Sequence, residues 1–190
     1  MSMKDKLHTG ELYLPDDGEI MKEQSACMEL LYDFNATRPS EMEKRTELLK
    51  KMFAEIGEGC YIEPPFHANW GGHNVHFGSH VYANFSLTVV DDTHIYVGDH
   101  TMIGPNVTIA TGGHPVLPAL RERGMQYNMP VRIGKNCWIG AGALIMPGFP
   151  GRQMKRADNG RGRNRGETIR GIRPPRAHSS VFRTPLPTRS

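Results

Sequence analysis

Long apolar runs are missing from this 190-residue chain; none approaches the roughly 18 residues that a membrane span needs. Cysteine is scarce: Cys27, Cys60 and Cys137 are odd in number and sit in no paired motif, which argues against a disulfide framework. The N-terminus, Met1-Ser-Met-Lys-Asp-Lys-Leu-His, has no apolar stretch of signal-peptide length. These absences together lead us to expect a soluble protein of the reducing cytoplasm. Aromatic residues are few at 8%, yet 38% hydrophobic content is enough for a core.

Net charge is also low, at +3, but it is unevenly spread. Residues 1–150 carry 12 Lys+Arg against 18 Asp+Glu, a net of −6. Residues 151–190 carry ten Arg and one Lys against Asp158 and Glu167, a net of +9. The basic character therefore belongs to the last forty residues. It is no sign of a nucleic-acid-binding domain. That stretch has no interleaved aromatics apart from Phe182, so no nucleic-acid partner is expected.

The chain divides into three parts. Residues 1–57 read as helical. From Glu19 to Phe34 the residues Ile20, Cys27, Leu30, Leu31 and Phe34 recur at helical spacing. Pro39 then disfavours αR in the residue before it. Ser40-Glu-Met-Glu43 has the form of a capping box, and Leu49, Met52, Phe53 and Ile56 give a second stripe that Gly57 would stop.

From residue 58 to 148 the period changes to six. One column reads Val75, Val81, Leu87, Ile95, Thr101, Val107, Val131, Cys137 and Ala143. Its companion, two residues on, reads Phe77, Ala83, Val89, Val97, Ile103, Ile109, Ile133, Ile139 and Ile145. Six is neither the 3.6 of a helix nor the alternation of a strand. It predicts a left-handed parallel β-helix of hexapeptide repeats, three short strands to a coil, with these columns stacked inside. Two register breaks stand out: Asp91-Asp-Thr-His94 adds two residues, and residues 110–130 leave the coil as a long loop. Long loops on a compact solenoid usually carry function.

At Phe149 the rhythm stops. Phe149-Pro-Gly-Arg-Gln-Met-Lys-Arg156 replaces the next aliphatic repeat, and Arg, Gly and Pro dominate thereafter. Such a composition cannot bury enough apolar surface to order itself, so residues 149–190 are expected to be disordered. Codons for Gly, Ala and Val that are rich in G and C yield Arg, Gly and Pro when read one base out. The abruptness of the change therefore reads as a frameshift.

Beyond the repeats, several motifs carry a resemblance to the maltose/galactoside O-acetyltransferase family of hexapeptide acyltransferases. They are Gly-Glu-Leu-Tyr13 with Asp17, Tyr32-Asp-Phe-Asn35, Ile62-Glu-Pro-Pro65, Tyr82-Ala-Asn-Phe85, Val90-Asp-Asp92, Asn106-Val-Thr-Ile109, Gly113-His-Pro115 and Ile133-Gly-Lys-Asn-Cys-Trp-Ile-Gly140. They run from about Leu7 to Gly148. The resemblance implies a homotrimer with active sites between neighbouring subunits, and transfer of acetyl from acetyl-CoA to a sugar hydroxyl. In that reading His114 removes the hydroxyl proton, a task for which a neutral imidazole suits cytoplasmic pH. Asp17, Asn69, Asn84 and Asp92 match the family's sugar-contacting positions, and Ala141 matches a donor-binding one. Around Asn69 the chain departs from the pattern, with an extra residue before Asn74 and Asn where the family more often has an acid.

Each of these residues has a plainer alternative. A loop histidine can be merely solvated, Asn84 can cap a turn, and Asp92 can form one. The histidines His67, His73, His76 and His80 could suggest zinc, but no cysteine or carboxylate completes a set, and no metal is expected. Two other functions stay open: the same chemistry on another acceptor, such as a lipo-oligosaccharide or an antibiotic, and a non-catalytic β-helix without its donor site.

Overall fold

A computed structural model describes residues 2–150; the expectations for the tail from residue 151 on lie outside the described residues. Three parallel four-stranded sheets wrap one apolar column. The first face stacks β1 (Glu55–Ile56), β4 (Val75–Phe77), β7 (Ile95–Val97) and β12 (Val131–Ile133). The second stacks β2 (Tyr61–Ile62), β5 (Tyr82–Ala83), β8 (Met102–Ile103) and β13 (Trp138–Ile139). The third stacks β3 (His67–Ala68), β6 (Thr88–Val90), β9 (Thr108–Ala110) and β14 (Leu144–Ile145). The chain passes from face to face in sequence order, so each coil is one strand of each face.

Both predicted columns point inward. Val75, Leu87, Ile95, Thr101, Val107, Ile109 and Val131 have no solvent exposure. The last coil is less covered: Ile133, Ile139 and Ile145 are each 6–7% exposed, and Cys137 and Ala143 only partly buried. Phe149 follows Ala143 by six residues and still packs on the column, while its carbonyl accepts from the Arg132 amide at 3.0 Å. The repeat therefore continues in register through Phe149, one position past the expected break.

Corners between faces need tight turns. His80, His100 and Asn136 after the first face, and Ser86, Asn106 and Gly142 after the second, all take left-handed φ between 55° and 69°. Short polar residues and glycine tolerate that region best.

The N-terminal part differs in detail from the sequence expectation. Helix α1 (Gly18–Asn35) starts at Asp17, whose carboxylate caps the Glu19 and Ile20 amides at 3.1 and 3.4 Å. Its stripe splits: Leu31 and Phe34 join the main column, whereas Ile20 packs with Leu7, Tyr13 and Trp70. Helix α2 (Met42–Met52) has Glu41, not Ser40, at its N-cap, and no side chain bonds there. The Glu41 carboxylate instead accepts from the Arg38 amide at 2.7 Å, closing the turn that Pro39 creates. The expected stripe to Ile56 stops at Met52, because Ile56 already pairs with Phe77 in the first face. Gly57 is a coil corner, not a helix stop; a Cβ there would lie 2.5 Å from the Ser79 amide. Among the described residues no helix is long and apolar enough to cross a membrane.

Candidate active site

Every insertion into the repeat falls at one corner, between the third face and the first. Residues 69–74 follow β3, Asp91–His94 follow β6, and the 111–130 excursion follows β9. Breaks that are scattered in sequence thus stack as neighbours in space. The long loop is itself folded: β10 (Gly112–Gly113) pairs antiparallel with β11 (Tyr127–Asn128), and α3 (Pro118–Glu122) lies between them.

His114 follows β10 directly and is exposed. Its Nδ1 lies 3.1 Å from the Met125 carbonyl. A carbonyl only accepts, so Nδ1 carries the hydrogen and the neutral ring keeps its lone pair on Nε2. His114 is thereby held in the tautomer that a base attacking outward needs.

Asp92 lies against Gly112, two residues before His114. Gly112 backs onto this carboxylate so closely that a Cβ would come within 2.7 Å of Asp92 Oδ2. Asn69 Nδ2 donates to Asp92 Oδ1, and Gln126 Nε2 donates to Oδ2 at 2.6 Å. The carboxylate is 4% exposed. Behind it Tyr13, Gln126 and Asn128 form a buried network: Asn128 Nδ2 donates to Tyr13 Oη at 2.9 Å and to the Leu7 carbonyl at 3.0 Å. Burial first, and the Asp92 charge second, push the Tyr13 phenol above its usual range, so it stays protonated.

Asp91, read from sequence together with Asp92, has a separate structural part. It is fully buried, accepting from the Trp70 and Gly72 amides at 2.7 and 3.0 Å. Burial pushes its carboxyl up to about 6, against the lowering pull of the Trp70 amide.

Asn84 and Ala141 stand elsewhere. Both lie at the corner between the second and third faces, Asn84 after β5 and Ala141 after β13. Asn84 Oδ1 accepts from the Phe85 amide at 2.8 Å, the turn-capping bond that its position allows. A strand of the third face separates this corner from His114, roughly 10–17 Å at three to five residues of ~3.3 Å rise. One chain therefore brings together His114, Asp92 and Asn69, and keeps Asn84 and Ala141 apart from them. Asp17 is in place as the α1 cap, on the segment that also carries Tyr13.

Tyr13, Gln126 and Asn128 were missed as site residues by sequence reasoning. Gln126 and Asn128 alternate around Tyr127 as residues of one strand face do, but inside a 21-residue loop that signal is too short to read. The four histidines considered for zinc are dispersed: His67 is on the third face, His76 on the first, His73 in the corner loop, and His80 stacks on His100 with centroids 5.0 Å apart. Among the described residues no group of three ligands could hold a metal ion.

Comparison with known proteins agrees with this architecture. Residues 6–57 match the maltose acetyltransferase hexapeptide capping motif. Over 143 residues the chain is 58% identical to a galactoside O-acetyltransferase of Lactococcus lactis subsp. lactis (strain IL1403), covering 75% of this chain and 69% of that one. A galactoside acetyltransferase solved in complex with coenzyme A superposes with a TM-score of 0.74 at 42% identity, over 78% of this chain and 74% of that one. A maltose O-acetyltransferase from Clostridium difficile 630 gives 0.76 at 37%, over 78% and 79%. Coiled repeats, corner insertions and these likenesses define a hexapeptide-repeat acyltransferase. Within that class the chain belongs to the galactoside/maltose O-acetyltransferase family.

Proposed function

We propose that this chain transfers the acetyl group of acetyl-CoA to a hydroxyl of a sugar of the maltose, glucoside or galactoside class, with His114 as general base. The observation that carries this reading is the Nδ1–H bond to the Met125 carbonyl, which leaves Nε2 basic on an exposed side chain, at the corner where Gly112 packs on Asp92. Nε2 takes the acceptor hydroxyl proton as the oxygen attacks the thioester carbon. The oxyanion that forms collapses and expels the CoA sulfur, which regains the proton from the imidazolium. No acyl-enzyme is needed. Asn69, Asp92 and Asp17 serve the acceptor; Asn84 and Ala141, at the other corner, serve the acceptor and the donor respectively.

Because those two groups lie on different corners, we place the complete site between subunits of a homotrimer of left-handed coils, in the cytoplasm. Exposed apolar surface supports such an assembly. Val116, 92% exposed, and Leu117 project from the loop at one corner. Phe85, Met102, Trp138 and Leu144 stand exposed on and between the second and third faces. Apolar patches of this kind mark contact surfaces.

The test is release of free thiol from acetyl-CoA in the presence of maltose, a glucoside or a galactoside. Acceptor-dependent release is the expected result. Release with none of these sugars overturns the sugar assignment, and no calorimetric heat with millimolar CoA overturns donor binding too.

A further inference from the structure

We infer that Gln126 is a positioning residue for acceptor binding: its side-chain amide holds the Asp92 carboxylate in place while the residue before it holds His114. This rests on the acetyl-transfer reading and adds to it a residue that the family motifs do not single out.

Asp92 is almost wholly buried. A carboxylate this deeply covered needs hydrogen-bond donors in place of water. Its two oxygens accept from neutral amides, Asn69 on Oδ1 and Gln126 on Oδ2. The exposed Asn69 can turn toward solvent, whereas Gln126 is buried and fixed. Its main chain pairs twice with Tyr13, Tyr13 N to Gln126 O at 2.9 Å and Gln126 N to Tyr13 O at 3.0 Å. Its Nε2 is also 2.7 Å from Tyr13 Oη and 3.1 Å from Asn128 Oδ1. The outgoing strand of the loop lies against this contact, since a Cβ on Gly112 would stand 3.2 Å from Gln126 Nε2. The preceding residue, Met125, supplies the carbonyl that sets the His114 tautomer. One dipeptide thus fixes the base and the sugar-side carboxylate relative to each other. Productive attack tolerates little misplacement of either.

Substituting Gln126→Glu converts the donor into a titrating one. Two carboxyls at hydrogen-bond distance hold one proton between them, and while they do, the new group donates to Asp92 as the amide did. When that proton is lost, two carboxylates face each other and Asp92 is displaced. With maltose or methyl galactoside as acceptor, the acceptor KM of Gln126→Glu is expected near wild type at pH 5.5 and about tenfold higher at pH 8, the size of one unit of pKa coupling. The KM for acetyl-CoA should stay level throughout. Gln126→Leu, which keeps the shape and removes the donor, should raise acceptor KM by roughly 5–50-fold at every pH, the cost of a buried acceptor left unpaired. It serves equally if the charged variant fails to fold. Wild-type turnover alongside a flat acceptor KM in Gln126→Glu, or an acetyl-CoA KM that rises in parallel, overturns the positioning role alone. Absent wild-type turnover instead overturns the acetyl-transfer reading, and the role with it.

Discussion

The Met125 carbonyl accepts from His114 Nδ1, and that bond leaves only Nε2 of the neutral ring to take a proton. Exposed and outside the stacked columns, the imidazole contributes little to packing. His114→Ala should therefore lower kcat/KM by about 10²–10⁴-fold, the usual loss for a general base. Thermal unfolding should be nearly unchanged. Full turnover in that variant would remove His114 from the mechanism. That His114 stands on the long loop, outside the stacked columns, was legible because Gly113-His-Pro115 is local. The division of labour between Asp91 and Asp92 was not, because Asp91 is explained by the amides of Trp70 and Gly72, some twenty residues away. Asp17, read as a sugar contact, caps α1, a role that any helix start could ask of it.

At the scale of elements, period six was readable because nearly every inward position is filled by an aliphatic or small residue. One coil escaped. Cys60 and Phe66, with Ile56, Ile62 and Ala68, continue both columns backward, but the insertion at 69–74 breaks the count before Val75. Ser40 misled for a different reason: a capping pattern is satisfied by side chains alone, whereas the turn at Pro39 is closed by Glu41. The column makes a graded prediction. Ile109→Ala, fully buried between coils, should cost about 2–5 kcal/mol, and Ile145→Ala, in the last coil, distinctly less. Equilibrium denaturation at fixed protein concentration reads both, and equal costs would argue against the looser cover of the last described coil.

The first segment also meets the coil through histidines. His8 stacks on His94 with centroids 4.6 Å apart, and His76 Nε2 lies 3.0 Å from His94 Nδ1. Burial, then His73, lowers His8; burial, then His8, His76, Arg132 and His73, lowers His94. Their folded values are below the ordinary 6.5, so folding favours neutral rings. That contribution is present above about pH 6.5 and is lost as pH falls through the folded values. Asp91, raised to about 6, acts in the opposite sense: its contribution is complete below the ordinary 3.8 and is lost as pH rises through about 6. The histidine loss on the acid side of 6.5 thus runs against the Asp91 gain, and His8→Phe, which stacks without charging, should raise the melting temperature there relative to wild type while leaving it unchanged above 6.5. A variant whose melting temperature follows wild type across the acid side would mean that His8 does not contribute there.

For the whole molecule, what the sequence could not show is that a single chain leaves its candidate groups in two sets. Linear motifs carry no information about which corner of a coil each occupies. Only the stacking of β3, β6 and β9 puts Asn69, Asp92 and His114 on one edge, and that of β5 and β13 puts Asn84 and Ala141 on another. The shared site proposed above would draw one set from each of two neighbouring copies. Complementation between two inactive variants measures this directly. His114→Ala and Asn84→Ala should each be nearly inactive alone. After unfolding and refolding as an equal mixture, random trimers should recover about a quarter of wild-type activity, because one site in four then draws both intact residues from adjacent subunits. If the mixture stays as inactive as its parts, His114 and Asn84 act within one chain, and the shared site is wrong.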